Sequence, residues 1–464
     1  MGIRECLFGG LLCFIWLGAH TSCSPSSSGK ESTSVSESRS ESGVSQEDPA
    51  EQKNPLENGA EESAEVVQEL PSSDAANPES AEVDSSNLEV TQETSPDIGV
   101  AEQPVTEANS ERLPEKGIVD APPVKRGKPY LYVAQTNGRI NVYTMSEQDA
   151  SLKQVGSVLK AGKMRFLAFH PKKTHLYATS GTQAQAFSIL KTTRIPKFLG
   201  EITSGENGTH LELDQTGQFV FVASYGGNQF SAMRLNAKGI PMKPFFQRGG
   251  RENTTFCQKA HQVRVHPNNR FVYIPCLGSD YVQVLAFDAS KGTLQLRQKA
   301  KNKSGAGPRH MDFHPSKSVA YVVNELDSTV NVFSIQANQG TLTLLQTITT
   351  LPKGTTSPSK SSDIHVSPDG RFVYAINREP LNNIAIFSVD TQGKLTSVGH
   401  ISSGGIHSRS FVIDKHLPYM FVANAKSNNV VTFRVDKKTG KLTKLRTLSK
   451  LQALPYFVGI LWFE

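Results

Sequence analysis

Tyr130-Leu-Tyr-Val, His175-Leu-Tyr-Ala, Phe219-Val-Phe-Val, Phe271-Val-Tyr-Ile, Val319-Ala-Tyr-Val, Phe372-Val-Tyr-Ala and Tyr419-Met-Phe-Val are seven versions of one strand core. The aromatic at the third place of each is Tyr132, Tyr177, Phe221, Tyr273, Tyr321, Tyr374 or Phe421, with spacings of 45, 44, 52, 48, 53 and 47 residues. Self-similarity at that period is the mark of a repeat architecture. Ahead of most copies stands a turn built from residues that tolerate tight dihedrals: His170-Pro-Lys-Lys, Asp214-Gln-Thr-Gly, His266-Pro-Asn-Asn, His314-Pro-Ser-Lys and Ser367-Pro-Asp-Gly. The histidines at these turns read as structural.

Outward from each core the pattern continues with an alternating second strand, such as Val282 to Phe287, Val330 to Ile335, Ile384 to Val389 and Val430 to Val435. A polar turn then ends in Gly292-Thr-Leu, Gly340-Thr-Leu, Gly393-Lys-Leu or Gly440-Lys-Leu, which signals a hairpin. About four antiparallel strands per unit, seven units and no helical period specify an all-β, seven-bladed β-propeller over residues 125–464. The first unit has no room for an inner strand before Tyr130, while an apolar strand, Tyr456 to Phe463, is left over at the far end. That strand is expected to complete the first blade and close the ring.

The remaining quarter of the chain differs in kind. Cys6 to Ala19 is nearly all apolar after Arg4, too short for a membrane span and the right length for a signal-peptide core. It leads into His20-Thr21-Ser22-Cys23, which resembles a bacterial lipobox. Residues 1–22 are therefore expected to be a lipoprotein-type signal and Cys23 the lipidated residue, with the protein exported to the cell envelope and held on a membrane through that anchor. Residues 23–124 read as a disordered linker. From Ser24 to Pro123 there is no aromatic residue, and 23 acidic side chains face 5 basic ones, so this stalk repels itself and extends.

Removing these segments reveals a strongly basic propeller, with 43 Lys and Arg against 19 Asp and Glu from Val124 onward beneath an overall charge of +6. Such an excess suits either a solvated cationic surface or a cavity that attracts anions. Of five cysteines only Cys257 and Cys276 lie in the folded part. They are read as buried free thiols or as one disulfide, and no metal-ligand spacing accompanies them. No phosphate-cradling glycine loop, Gly-x-Ser-x-Gly elbow or ladder of base-stacking aromatics is present, so neither a cofactor nor nucleic-acid binding is expected.

Function rests on particular motifs. Gly305-Ala-Gly-Pro-Arg-His-Met-Asp-Phe-His-Pro followed by Tyr321-Val-Val-Asn-Glu-Leu-Asp-Ser-Thr-Val is very similar to the corresponding region of propeller-type bacterial 6-phosphogluconolactonases. The resemblance extends through Ala260-His-Gln-Val-Arg-Val-His-Pro, Asp363-Ile-His-Val-Ser-Pro-Asp-Gly-Arg and Tyr374-Ala-Ile-Asn-Arg. It takes in all seven units and leaves out the signal and stalk. The wider family looks like one that also holds fungal 3-carboxy-cis,cis-muconate lactonizing enzymes. It implies a catalytic cluster of His261, Arg309, Glu325 and Arg378, with Arg409 and Asp363 as substrate-binding residues.

These residue types fit the opening of an anionic lactone. The reaction needs a base for water, donors for the oxyanion and a cationic clamp for a carboxylate or phosphate. Either Glu325 or His261 could move the proton. Bland readings stand beside these: His261 could bond a backbone carbonyl, Glu325 and Arg309 could form a structural ion pair, and His310, His365 and Asp363 could link blades. Ser408 departs from the proline common before the arginine in relatives. A monomeric lactone hydrolase is expected. The alternative is an exported binding or scaffold module, because phosphorylated gluconolactone is a cytosolic metabolite.

Overall fold

The computed structural model describes residues 127–160, 162–250 and 255–464. The expected signal, Cys23 and all of the acidic linker lie outside them. The described residues form seven four-stranded antiparallel sheets, the blades of a propeller. Blade 1 pairs Pro455–Phe463 as its inner strand with Lys128–Gln135, Arg139–Met145 and Leu152–Leu159, so the last strand does complete the first blade. The inner strands of blades 2 to 7 are Met164–Phe169, Gly208–Leu213, Arg264–Val265, Pro308–Phe313, Ser361–Val366 and Ser408–Ile413.

The seven aromatic cores are the second strands of their blades. Phe219–Ser224, Phe271–Cys276, Val319–Asn324, Phe372–Asn377 and Tyr419–Asn424 are buried at every residue. A strand with one wet face would alternate, but here neighbouring blades cover both faces, so the apolar run is continuous.

The two repeating signals of the sequence meet in one contact between successive blades. The hydroxyl of Tyr177 donates to the Gly239 carbonyl at 2.9 Å, Tyr273 to Gly340 at 2.7 Å, Tyr321 to Gly393 at 2.9 Å and Tyr374 to Gly440 at 2.8 Å. Each bond runs from the core of one blade to the outer hairpin of the next. Gly340 and Gly440 have φ of 71° and 72°, and a Cβ on either would sit 2.4 Å from the ring of Phe271 or Phe372. Glycine is required there by backbone shape and by space. The turn histidines are structural as expected: His170 and His314 bond the carbonyls of Gly217 and Gly370 in the next blade at 3.1 and 3.0 Å.

Cys257 and Cys276 form a disulfide, the second of the two states considered for them. Cys276 ends the second strand of blade 4, and Ala260 bridges to it. The bond therefore ties down the segment that leads into His261.

Candidate active site

Every inner strand loses register near its start, and the central site is built on that irregularity. The pairing shifts leave Arg165, Thr209, Arg309, Ser362 with Asp363, Arg409 and Tyr456 without a strand partner in blades 2, 3, 5, 6, 7 and 1. In blade 4 the ladder is open from His261 to Val263. A bulge turns its side chain out of the alternating pattern, here toward the mouth of the ring. Arg165, Thr209, His261, Arg309, Arg409 and Tyr456 accordingly line one cavity, joined by Phe166, His310 and Ser410. Its volume is about 20 Å³, room for roughly one water.

A second row comes from the first turn residue after each second strand, which supplies Glu325 in blade 5 and Arg378 in blade 6. Glu325 is clamped: Oε2 lies 2.8 Å from Arg309 Nε and Oε1 lies 2.7 Å from Arg378 Nη2. Burial would push its carboxyl upward, but the two guanidiniums outweigh burial and hold it below the usual range. Arg309 is 2% exposed and also donates from Nη1 to the Ser362 carbonyl. Arg378 donates from Nε to the Lys360 carbonyl at 3.2 Å.

His261 is buried against His310 and Tyr225, with ring centroids 5.1 and 5.8 Å away. Its Nδ1 has no hydrogen-bond partner among the described residues. Burial, then Arg309 and the neighbouring charges, holds its pKa well below the ordinary histidine value, so the ring is neutral at physiological pH. It is the backbone N–H of His261, not its ring, that donates to a carbonyl, that of Pro275 at 3.1 Å.

The structure thus brings His261, Arg309, Glu325, Arg378 and Arg409 together. Asp363 stands apart from the mouth. Its Oδ1 meets His310 Nδ1 at 2.7 Å and its Oδ2 accepts from Phe411 N–H at 3.1 Å, so it links blades 5, 6 and 7. That is the blade-linking placement, and both oxygens are already engaged. Burial and Arg309 keep His310 neutral, with its pKa lowered to about 4 despite Asp363. Arg165 and Tyr456 were missed by sequence reasoning. Only an alignment of the inner strands, which lack the aromatic signature, would have placed them level with Arg309 and Arg409.

Below the mouth the channel side chains follow the two-residue period of the strands. Blades 3, 4 and 6 contribute Glu212, Arg264 and His365, while Phe166, Ala168, Phe457 and Gly459 face them around a lower chamber of about 270 Å³. Arg264 reaches Glu212 at 3.1 Å and Asp312 at 3.0 Å, and His365 lies 3.5 Å from both Asp312 and Asp363. The largest cavity described, about 990 Å³ and lined by Arg270, Asp288, Arg297 and Asn338 among others, contains none of the site residues.

Residues 130–454 match the family model described as a lactonase with a seven-bladed β-propeller. The chain belongs to this lactonase family. It is 32% identical over 324 residues to the 6-phosphogluconolactonase of Serratia proteamaculans, covering 68% of this chain and 95% of that protein. It is 33% identical over 341 residues to the enzyme of the same name from Pectobacterium carotovorum, covering 71% and 98%. Among solved structures, the periplasmic gluconolactonase PpgL of Pseudomonas aeruginosa superposes with a TM-score of 0.66 at 22% identity, over 72% of this chain and 99% of that one. At that identity the likeness to PpgL bears on the fold alone.

Proposed function

We propose that this lactonase-family protein is a hydrolase that opens an anionic sugar lactone to its hydroxy acid, working as a monomer at the cell envelope, where Cys23 anchors it. The observation that carries the reading is Glu325 fixed between two guanidiniums, one of which, Arg309, lines the same cavity as a neutral histidine whose Nδ1 is free among the described residues. Glu325 has both oxygens occupied and is held ionised, which suits it to orient Arg309 and Arg378 and not to take a proton. The base is then His261. Its Nδ1 removes a proton from water as the oxygen adds to the lactone carbonyl, and the guanidiniums steady the developing oxyanion. The acyl C–O bond breaks, the ring oxygen leaves, and His261 returns the proton to it, so one water is consumed for each ester bond opened.

The test is base consumption by the full chain against sugar and aliphatic lactones with and without anionic groups. Turnover is expected, with His261→Ala lowering kcat about 100-fold or more and Glu325→Gln raising KM as the arginines lose their orientation. No turnover above these variants on any lactone would favour the binding module.

A further inference from the structure

The cations of the mouth divide by blade. Arg309 and Arg378, on blades 5 and 6, share Glu325. Arg409, Tyr456 and Arg165 occupy equivalent positions on blades 7, 1 and 2, an unbroken arc across the ring from His261. Neither Arg165 nor Arg409 forms an ion pair with any described carboxylate. Arg409 lies with its guanidinium carbon 4.7 Å from the centroid of the Tyr456 ring, and its only hydrogen-bond contact among the described residues is with His407 Nε2 at 3.4 Å.

Two neighbouring guanidiniums, each half-buried, repel one another and lose part of their hydration, and no described carboxylate pairs with either to offset it. Burial, Arg378 and Arg165 lower the pKa of Arg409 to about 10, which still leaves it charged at neutral pH, and burial lowers that of Arg165 as well. The stacked Tyr456 ring fixes the plane of one guanidinium and offers a neutral O–H donor beside it. An arrangement that is costly when empty and lines a cavity is built to receive an anion. Two uncompensated positive charges match a dianion, whereas a carboxylate would leave one unmatched.

We propose that Arg165, Arg409 and Tyr456 form an anchor for a phosphate monoester group, set beside the Arg309, Glu325 and Arg378 clamp and across the ring from His261. The anchor holds the phosphorylated end of the substrate and presents its reacting carbonyl to His261. That the carrier is a lactone rests on the hydrolase reading above; the preference for a dianion does not.

Titration calorimetry of the full chain with inorganic phosphate at neutral pH and fixed ionic strength tests the anchor, with acetate as the monoanion probe. Phosphate is expected to bind, acetate to bind at least about tenfold more weakly, and Arg165→Gln and Arg409→Gln each to weaken phosphate about tenfold or more. Arg165→Lys and Arg409→Lys, which keep the charge and lose the fork, should weaken it by a smaller factor and serve if a Gln variant does not fold. Phosphate that does not bind, or binds equally well to folded variants, overturns the anchor. In kinetics, the ratio of kcat/KM for 6-phosphorylated over unphosphorylated gluconolactone should fall about tenfold in the Gln variants, and an unchanged ratio also overturns it. Phosphate bound at these residues without turnover of any lactone would support the anchor and sink the hydrolase reading. Turnover of neutral lactones that phosphate neither joins nor inhibits would do the reverse.

Discussion

The mouth and the throat of the channel are built by the same inner strands a few residues apart, yet they treat charge in opposite ways. In the throat Arg264 answers Glu212 and Asp312, and His365 answers Asp312 and Asp363. Backbone N–H groups add to this: Val265 donates to Glu212 at 3.3 Å and Val366 to Asp312 at 2.9 Å. In the mouth there are four arginines and one glutamate, and only Arg309 and Arg378 pair with it. Charges that are paired across blades fasten the ring. Charges left over at its opening are there for something that arrives from outside.

The comparison collapses altogether if the ring opens. Deleting Pro455–Glu464 removes Tyr456 from the mouth and Phe457 and Gly459 from the throat. Cooperative unfolding in urea should be lost, and a truncated chain that keeps a sharp transition would show that blade 1 stands on three strands. Next in size is the cost of breaking a throat pair. Arg264→Ala strands two largely buried carboxylates and should lower stability by about 3 kcal/mol. Arg165→Ala and Arg409→Ala in the mouth should change it by less than about 0.5 kcal/mol, or raise it as repulsion is relieved. Equal losses in denaturant titration would erase the distinction.

A smaller effect, visible in pH, sharpens it. Burial opposes a charge on His365, but Asp363 and Asp312 raise it from 6.5 to about 10. The stability it adds is complete below pH 6.5 and is lost as pH rises through about 10. Burial raises Glu212 from 4.5 to about 7 against the pull of Arg264, so its contribution also fades with rising pH, between those values. Asp312 runs the other way. Burial is outweighed by Arg264 and His365, its pKa falls from 3.8 to about 2, and its contribution is lost as pH drops through that range. Against Glu212 stand His261, His210 and His310, which burial keeps neutral and whose contribution is lost as pH falls below 6.5. The urea midpoint should therefore peak near pH 6.5 and decline on both sides, and His365→Asn should flatten the alkaline limb. An unaltered limb would place the effect outside the throat.

The propeller was legible because its signals repeat. The third-place aromatics and the hairpin glycines recur seven and at least four times, and a tyrosine hydroxyl bonding a glycine carbonyl explains why the two travel together. The site was legible where a motif carried it, as with His261, Arg309 and Glu325. Arg165 and Tyr456 carry no local pattern. One follows an undistinguished methionine, and the other belongs to blade 1 only because a strand from the far end of the sequence returns there. Asp363 was placed at the site by its motif, but alternation along the strand gives it to the throat. The disulfide could not be read from two cysteines 19 residues apart, because pairing depends on the geometry that the fold supplies.

The closing strand also sets an order of events and a path for force. Every other described strand of the propeller is synthesised before Pro455–Phe463, so until it arrives Lys128–Gln135 offers a bare edge on which another chain could pair. The nascent ring is a clasp left undone, and its final residues decide when that hazard ends. Once shut, any tension reaching the propeller through Gly127 enters a strand gripped on both sides, by Arg139–Met145 and by Pro455–Phe463. Pulling along that strand loads two ladders of hydrogen bonds in shear at once, so the blade that Gly127 enters is also the one fastened by both ends of the ring.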